Sequence, residues 1–345
     1  MAESMGLPHD HTSQGSAHKR DAALALLRAS GRALAEVRSI DAASRIADHA
    51  RAEILALQGG AEDRPYLMKT LCQFAHLLRN SGWSTLASDL LEMAAADGMV
   101  DAYVLSELAQ CQLRRGDAAA AELTLDRARR SGLLTDAICT SLIAAHGRAG
   151  DMVRAERVYA QALADGVISE FVFTAMIAVY GKAGRPDRAR DIFECAASHG
   201  LLSPACYTAL IDANGRAGMA DAAHRIFDAA SASGMLDQRA YTALVRAYAS
   251  NSRFRMARQV LERAREAGMD DDRLYAAFIS ASVNASRLRE AFVVFQIAKA
   301  GGYASRRVCD AMAAGLRKAH QFRRARAVER VALTTAAGWQ ADSSI

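Results

Sequence analysis

From residue 136 onward the apolar positions fall into two bursts at helical spacing, and the pair of bursts returns every 34 residues without insertion or deletion. DAICTSLIAAHGRAGDMVRAERVYAQALADGVIS (136–169) is followed by EFVFTAMIAVYGKAGRPDRARDIFECAASHGLLS (170–203) and PACYTALIDANGRAGMADAAHRIFDAASASGMLD (204–237). Phe173, Met176, Ile177 and Tyr180 line one face of a first helix, as Tyr241, Leu244, Val245 and Tyr248 do two units later. Ile192 and Phe193, then Ile226 and Phe227, mark the apolar face of a second helix. The step continues through 238–271, 272–305 and 306–339, and backwards through 102–135 and 68–101. Such self-similarity is the signature of a repeat architecture.

Three columns fix the register. Ala87, Ala121, Ala155, Ala189, Ala223, Ala257, Ala291 and Ala325 recur without exception near the start of the second helix, where a small side chain lets two backbones approach. Gly98, Gly132, Gly166, Gly200, Gly234, Gly268 and Gly302 close that helix, with Ala336 in the last place. Gly82, Gly116, Gly150, Gly184 and Gly218 occupy the inter-helix turn, giving way to Ser252, Ser286 and His320.

One hairpin cannot bury its apolar face alone, so neighbours must stack. The expected fold is therefore all-α: a right-handed α-solenoid superhelix of tandem helix–turn–helix repeats over 68–339. Residues 1–19 are polar and read as a disordered tail. Residues 20–67 hold an amphipathic helical cap that breaks near Ser39–Asp41, and 340–345 form a short C-terminal tail.

Composition agrees with helix. Only four prolines interrupt a chain that is 51% hydrophobic. The net charge of +5 permits an anionic partner without establishing one. Cys72, Cys111, Cys139, Cys195, Cys206 and Cys309 contain no CxxC pair and read as buried thiols in a reducing compartment. No stretch has the roughly 20 apolar residues of a membrane span. The N-terminus lacks an apolar signal core, and Glu3 and Asp10 argue against a transit peptide there.

FTAMIAVYGKAGRPDRARDIFECAASHGL and YTALIDANGRAGMADAAHRIFDAASASGM closely resemble the pentatricopeptide repeat: an aromatic-x-x-Leu/Ile-Ile helix, Lys/Arg-x-Gly, Ala-x-x-Ile/Leu-Phe and a late Gly. The tetratricopeptide unit fits less well, because Ile rather than Gly follows Leu142 and Leu210 and the closing Pro is absent. The resemblance covers roughly 68–339 and is best in 136–237. It departs in the usual final Pro-Asp, here Ile-Ser, Leu-Ser or Leu-Asp.

The resemblance implies single-stranded RNA as partner, with about one base read per repeat. It places one reading residue after the aromatic of the first helix and the other at the end of the unit. Carried over, the pairs are Ser106 with Thr135, Thr140 with Ser169, Thr174 with Ser203, Thr208 with Asp237, and Thr242 with Asp271. In the family Thr with Asp favours guanine, so the fifth and sixth units would read adjacent guanines. The other reading of the same residues is local, since Thr near a helix start and Asp before one are common caps.

A cationic column runs through Arg114, Arg148, Lys182, Arg216 and Lys318, two residues before the turn position, with Ser250 and Asn284 as interruptions. It fits successive phosphates, or simply the negative end of each helix dipole. The residue three before each reading position is Ala137, Phe171, Ala205, Arg239 or Arg273, where the family has an aliphatic that sandwiches bases. The last unit is densely basic, and Arg306 and Arg307 open its first helix.

No phosphate loop, HExxH or carboxylate pair occurs, and His9, His11 and His18 lie in the polar tail, so no metal, cofactor, small-molecule substrate or catalysis is expected. About six residues follow the last repeat, too few for an added catalytic domain. By family analogy the place is a mitochondrion or chloroplast, otherwise the cytoplasm, and the role lies in transcript stabilisation, RNA processing or translation. The competing class is a protein-interaction scaffold, including a structural subunit of an organellar ribonucleoprotein or ribosome.

Overall fold

The computed structural model describes residues 39–56 and 64–330, with 25, 29–30 and 32–33 standing isolated before them. The expected tails at 1–19 and 340–345, most of 20–38 and the end of the last repeat lie outside the described residues.

The described residues are helical hairpins joined by short turns, without a strand among them. Helix α1 is Ile40–Ala56, α2 Arg64–Asn80, α3 Ser84–Ala96, α4 Ala102–Arg114, α5 Ala118–Arg130, α6 Asp136–Ala149 and α7 Met152–Ala164. Then come α8 Glu170–Lys182, α9 Pro186–Ser198, α10 Pro204–Arg216, α11 Ala220–Ala232, α12 Gln238–Ser250, α13 Phe254–Glu266, α14 Asp272–Asn284, α15 Leu288–Ala300 and α16 Arg306–Lys318. Residues 322–330 are helical as well. From α4 onward each first helix starts 34 residues after its counterpart, at Ala102, Asp136, Glu170, Pro204, Gln238, Asp272 and Arg306. The 34-residue period of the sequence is thus also the period of the helices.

The chain divides into two compact units, one ending at Ile168 and one beginning at Ser169. Inside each, every first helix packs on its own second helix and on the first helices of neighbouring hairpins, while each second helix leans on the next first helix. First helices are therefore the inner members of the stack. In the first unit α1 lays Ala43, Ala47 and Ala50 against α2 and α3, within a cluster that includes Leu67, Leu71 and Phe74. The break expected near Ser39–Asp41 is the start of α1, where Ser39 Oγ accepts from Ala42 N at 3.3 Å. The first repeat differs from its assigned start at residue 68: α2 begins at Arg64. Pro65, favoured in a first helical turn, sets that start independently of the repeat register.

The alanine column explains the close packing. Each of these alanines is the fourth residue of its second helix, and all eight are buried. The first-helix apolar face is buried throughout, including Phe173, Met176, Ile177, Tyr180, Tyr241, Leu244, Val245 and Tyr248. Of the second-helix markers Phe227 is buried, whereas Ile192, Phe193 and Ile226 are only partly so. One contact recurs across hairpins in the second unit. Phe193 meets Tyr207 edge-on at 5.0 Å, and Phe227 meets Tyr241 in the same way at 5.0 Å. Edge-to-face pairs of this kind contribute about 0.5–1.5 kcal/mol beyond the area they bury.

The inter-helix turn is a left-handed closure whatever residue occupies it. Gly184 and Gly218 have φ of 69° and 80°, and Ser252, Ser286 and His320 adopt 59°, 60° and 57° at the same place. The bond that closes the motif survives the exchange: Met219 N donates to Asn214 O at 2.9 Å and Arg253 N to Tyr248 O at 2.9 Å. Packing of the flanking helices overrides the local cost of a side chain there.

Candidate nucleic-acid interface

Each unit ends on a residue that begins the next first helix. Asp101, Thr135, Ser169, Asp237 and Asp271 are extended N-caps whose side chains accept from the backbone N–H three residues on. Ser203 and Ser305 occupy the same place without that bond. The capping reading of these residues is therefore correct for most of them. It leaves the second carboxylate oxygen of Asp237 uninvolved in the cap, which uses Oδ1 at 2.8 Å.

The first-helix members of the pairs, Ser106, Thr140, Thr174, Thr208 and Thr242, are each the fifth residue of their helix and half-buried. Two pairs are joined directly. Ser106 Oγ lies 2.9 Å from Thr135 Oγ1, and Thr208 Oγ1 donates to Asp237 Oδ1 at 3.2 Å. A third pair meets through a thiol: Thr174 Oγ1 lies 3.1 Å from Cys206 Sγ, and the Ser203 hydroxyl points at the same sulfur at 3.6 Å. Ser203 is buried, so its hydroxyl is turned from solvent. Thr242 and Asp271 are not joined. Thr242 donates to Gln238 O at 3.0 Å, and Asp271 Oδ1 accepts from Leu274 N at 2.8 Å. Thr140 belongs to the first unit and Ser169 to the second.

Arg114, Lys182, Arg216 and Lys318 are the last residues of their helices, and Arg148 stands in the last turn of α6. All five are exposed, and none forms an ion pair with a carboxylate among the described residues. Cations elsewhere are engaged, as in Arg79–Glu107 at 2.7 Å and Arg129–Asp165 at 2.8 Å. Within one helix the reading residue and the cation are separated by two i+4 steps, as in Thr174, Ala178 and Lys182. That ridge spans about 12 Å at 1.5 Å per residue.

An open trough of about 770 Å³ follows this ridge in the second unit. Thr242, Arg246 and Ser250 of α12 face Ser280 and Asn284 of α14 across it, and Arg273 and Arg307 also line it. Arg246 is bridged to Asp212 of α10 at 3.3 Å. Burial raises the Asp212 carboxyl above its ordinary value, and Arg246 and Arg216 pull against that rise. Arg246 was not among the sequence-derived site residues, although it stands one i+4 step from Thr242. Arg273 and Arg307 carry no carboxylate partner among the described residues. Elsewhere in the column of Arg273, Tyr103 and Phe171 are exposed, at 78% and 58%.

The six cysteines form no disulfide. Burial pushes the Cys72 and Cys111 thiols up to about 12 and that of Cys139 to about 11, which keeps them protonated and unreactive. Among the described residues no group of His, Cys, Asp or Glu is gathered for a metal ion, and no helix is long and apolar enough to cross a membrane.

Stacked hairpins in strict register, with polar side chains along the first helices, define an all-α helical-repeat protein. Its central repeats are pentatricopeptide repeats: the family model described as PPR repeat matches residues 137–167, 171–201, 205–235 and 239–269. These matches fall inside the units assigned by periodicity to 136–271. Among solved structures, the pentatricopeptide repeat protein PPR10 from maize aligns with a TM-score of 0.51 at 20% identity, over 84% of this chain and 44% of that one. PPR10 in complex with an 18-nt psaJ RNA element aligns at 15% identity with a TM-score of 0.49, over 93% and 55% of the two chains. A tetratricopeptide repeat protein from Parabacteroides merdae aligns at 15% identity with a TM-score of 0.47, over 72% and 98%. The chain spans less than half the length of the first maize chain. No curated protein matches the sequence.

Proposed function

We propose that this chain is a sequence-preferring adaptor for single-stranded RNA, acting in a mitochondrion or chloroplast to stabilise, process or present a transcript for translation. Support comes from the pentatricopeptide repeats over 137–269. The observation that carries the reading is the geometry at α10, whose Thr208 meets Asp237 and whose Arg216, in no ion pair among the described residues, ends the same ridge. A hydroxyl that donates to a carboxylate leaves only lone pairs free, so the pair offers a base edge acceptors, as the N–H groups of a guanine edge require. A cation about 12 Å further along suits the backbone of the same strand. Thr135, Ser169, Ser203 and Asp271 hold the equivalent position in their repeats; Ser106 with Thr135 is the other pair joined directly, hydroxyl to hydroxyl. Binding is passive, through bases read by side chains and phosphates held by Arg114, Arg148, Lys182, Arg216 and Lys318.

Selection from a random RNA pool, with salt titration of the selected ligand, tests this. Enrichment of a motif with guanine at the Thr208–Asp237 position is expected, lost in Thr208→Asn. The slope of log affinity against log salt should be roughly −3 to −4 for five phosphate contacts at about −0.7 each. A pool that returns no motif and no salt dependence overturns the reading in favour of a protein scaffold.

A further inference from the structure

The trough between α12 and α14 differs from the rest of the first-helix face. Its reading position on α14 is Ala276, a buried methyl that can neither donate to nor accept from a base. On α12, the Thr242 hydroxyl donates to the backbone carbonyl of Gln238 and is not joined to Asp271, so no hydroxyl–carboxylate pair forms here. The cation column is interrupted here by Ser250 and Asn284, which both line the cavity. Yet the trough is cationic, because Arg246, Arg273 and Arg307 all line it.

Local helix energetics do not account for two of these arginines. Arg273 and Arg307 are the second residues of α14 and α16, where the positive end of the helix dipole disfavours a cation. Both are exposed, and neither has a carboxylate partner among the described residues. Arg246 is shared with Asp212, so the trough has one tethered guanidinium and two unengaged ones. Around them, Ser250, Ser252, Ser280 and the amide of Asn284 can hydrogen-bond an oxyanion without distinguishing bases.

We propose that this trough is a sequence-blind phosphodiester clamp: Arg273 and Arg307, with Arg246, grip the backbone of a single strand while the Thr208–Asp237 pair upstream does the reading. Affinity and selectivity then reside in different repeats. The inference rests on the RNA-binding reading above and assigns a division of labour within it. Guanidinium groups suit this task because their fork geometry matches phosphate oxygens.

The test uses the full chain with single-stranded 12-nucleotide RNAs of uridine, adenosine or cytidine, read by fluorescence anisotropy across a salt series. Arg273→Ser with Arg307→Ser should weaken binding of all three RNAs by a similar factor, about 20-fold at 0.1 M salt, and flatten the salt slope by about 1.4 for two lost phosphate contacts. Arg273→Lys with Arg307→Lys should keep most of the slope. The motif selected from a random pool should be unchanged in the serine variant and lost in Thr208→Val. Both arginines are exposed at helix starts, and unchanged circular-dichroism melts check that the variants fold. If the wild-type chain binds no RNA, the functional reading fails and the clamp with it. If it binds and the serine variant is indistinguishable, or loses only one base composition, the clamp is overturned while RNA binding stands.

Discussion

Thr208 donates its hydroxyl to Asp237 Oδ1 at 3.2 Å, and that same oxygen accepts the backbone N–H of Ala240 at 2.8 Å. One carboxylate thus caps α12 and ties it to α10, while Oδ2 faces Arg239 at 3.5 Å. Under the proposed function the cap of α12 would also be a base reader. The two roles separate by substitution: Asp237→Ser keeps a capping oxygen but removes the charge, whereas Asp237→Ala also costs about 1 kcal/mol of helix capping. Asp237→Ser should leave the melting temperature nearly unchanged and abolish preference for its base in a selection experiment. Retained preference would make the residue a cap only.

The left-handed turn column predicts a gain of stability. Ser252, Ser286 and His320 hold φ of 59°, 60° and 57° where earlier repeats have glycine. A side chain in that region costs about 1–2 kcal/mol, part of which glycine gives back through its greater freedom when unfolded. Each change to glycine should stabilise by about 0.5–1 kcal/mol, read as a higher urea midpoint with an unchanged m-value. A drop in the midpoint would show that these side chains hold the turn in a way their backbone does not reveal.

Close approach of first helices sets a size limit. A Cβ on Gly215 would stand 2.6 Å from Ala247 Cβ, and one on Gly181 would stand 2.7 Å from Ala213 Cβ. Gly215→Ala should therefore destabilise by about 1–3 kcal/mol through overpacking. Ala247→Gly in the same chain removes the nearest atom, leaving Ala247 Cα at 3.0 Å, and should recover part of the loss, less about 1 kcal/mol for glycine inside a helix. Additivity of the two changes in thermal denaturation would refute the proposed contact.

Asp212 gives a pH dependence of known sign. Burial raises its folded value above the ordinary 3.8, with Arg246 and Arg216 opposing. The folded chain then holds the proton more tightly than the unfolded chain, so this group's contribution to stability falls as pH rises from about 3.8 through the folded value. Asp212→Asn should remove that decline and stabilise the protein at neutral pH. It also frees Arg246 beside the trough, so RNA affinity should rise about fivefold, the effect of roughly 1 kcal/mol of relieved charge repulsion. Weaker binding in the variant would place Asp212 on the side of the ligand.

Much of the architecture was legible in the chain because the signals are local and repeated. The Ala87-to-Ala325 column, the late glycines and the first-helix apolar face each follow from period and side-chain size, and the helices start at the step those columns predict. The start of α2 was missed, since Pro65 acts outside the repeat. The side chains of the interface were less legible. Thr208 with Asp237 and Thr242 with Asp271 are the same pair in sequence, but only the first is a direct bond; Thr242 donates to Gln238 O instead. Arg246 escaped notice as a site residue because no column marks its position, and Arg273 because it stands where the resemblance places an aliphatic residue.

By itself, the sequence determined the secondary structure, the register and the family of the repeats, because each depends on intervals that one hairpin sets and the next copies. Which hydroxyls meet a carboxylate, which arginines stay unpaired and where the face opens into a trough were decided by tertiary packing. Those outcomes depend on distances between side chains far apart in the chain, and a periodic pattern carries no record of them.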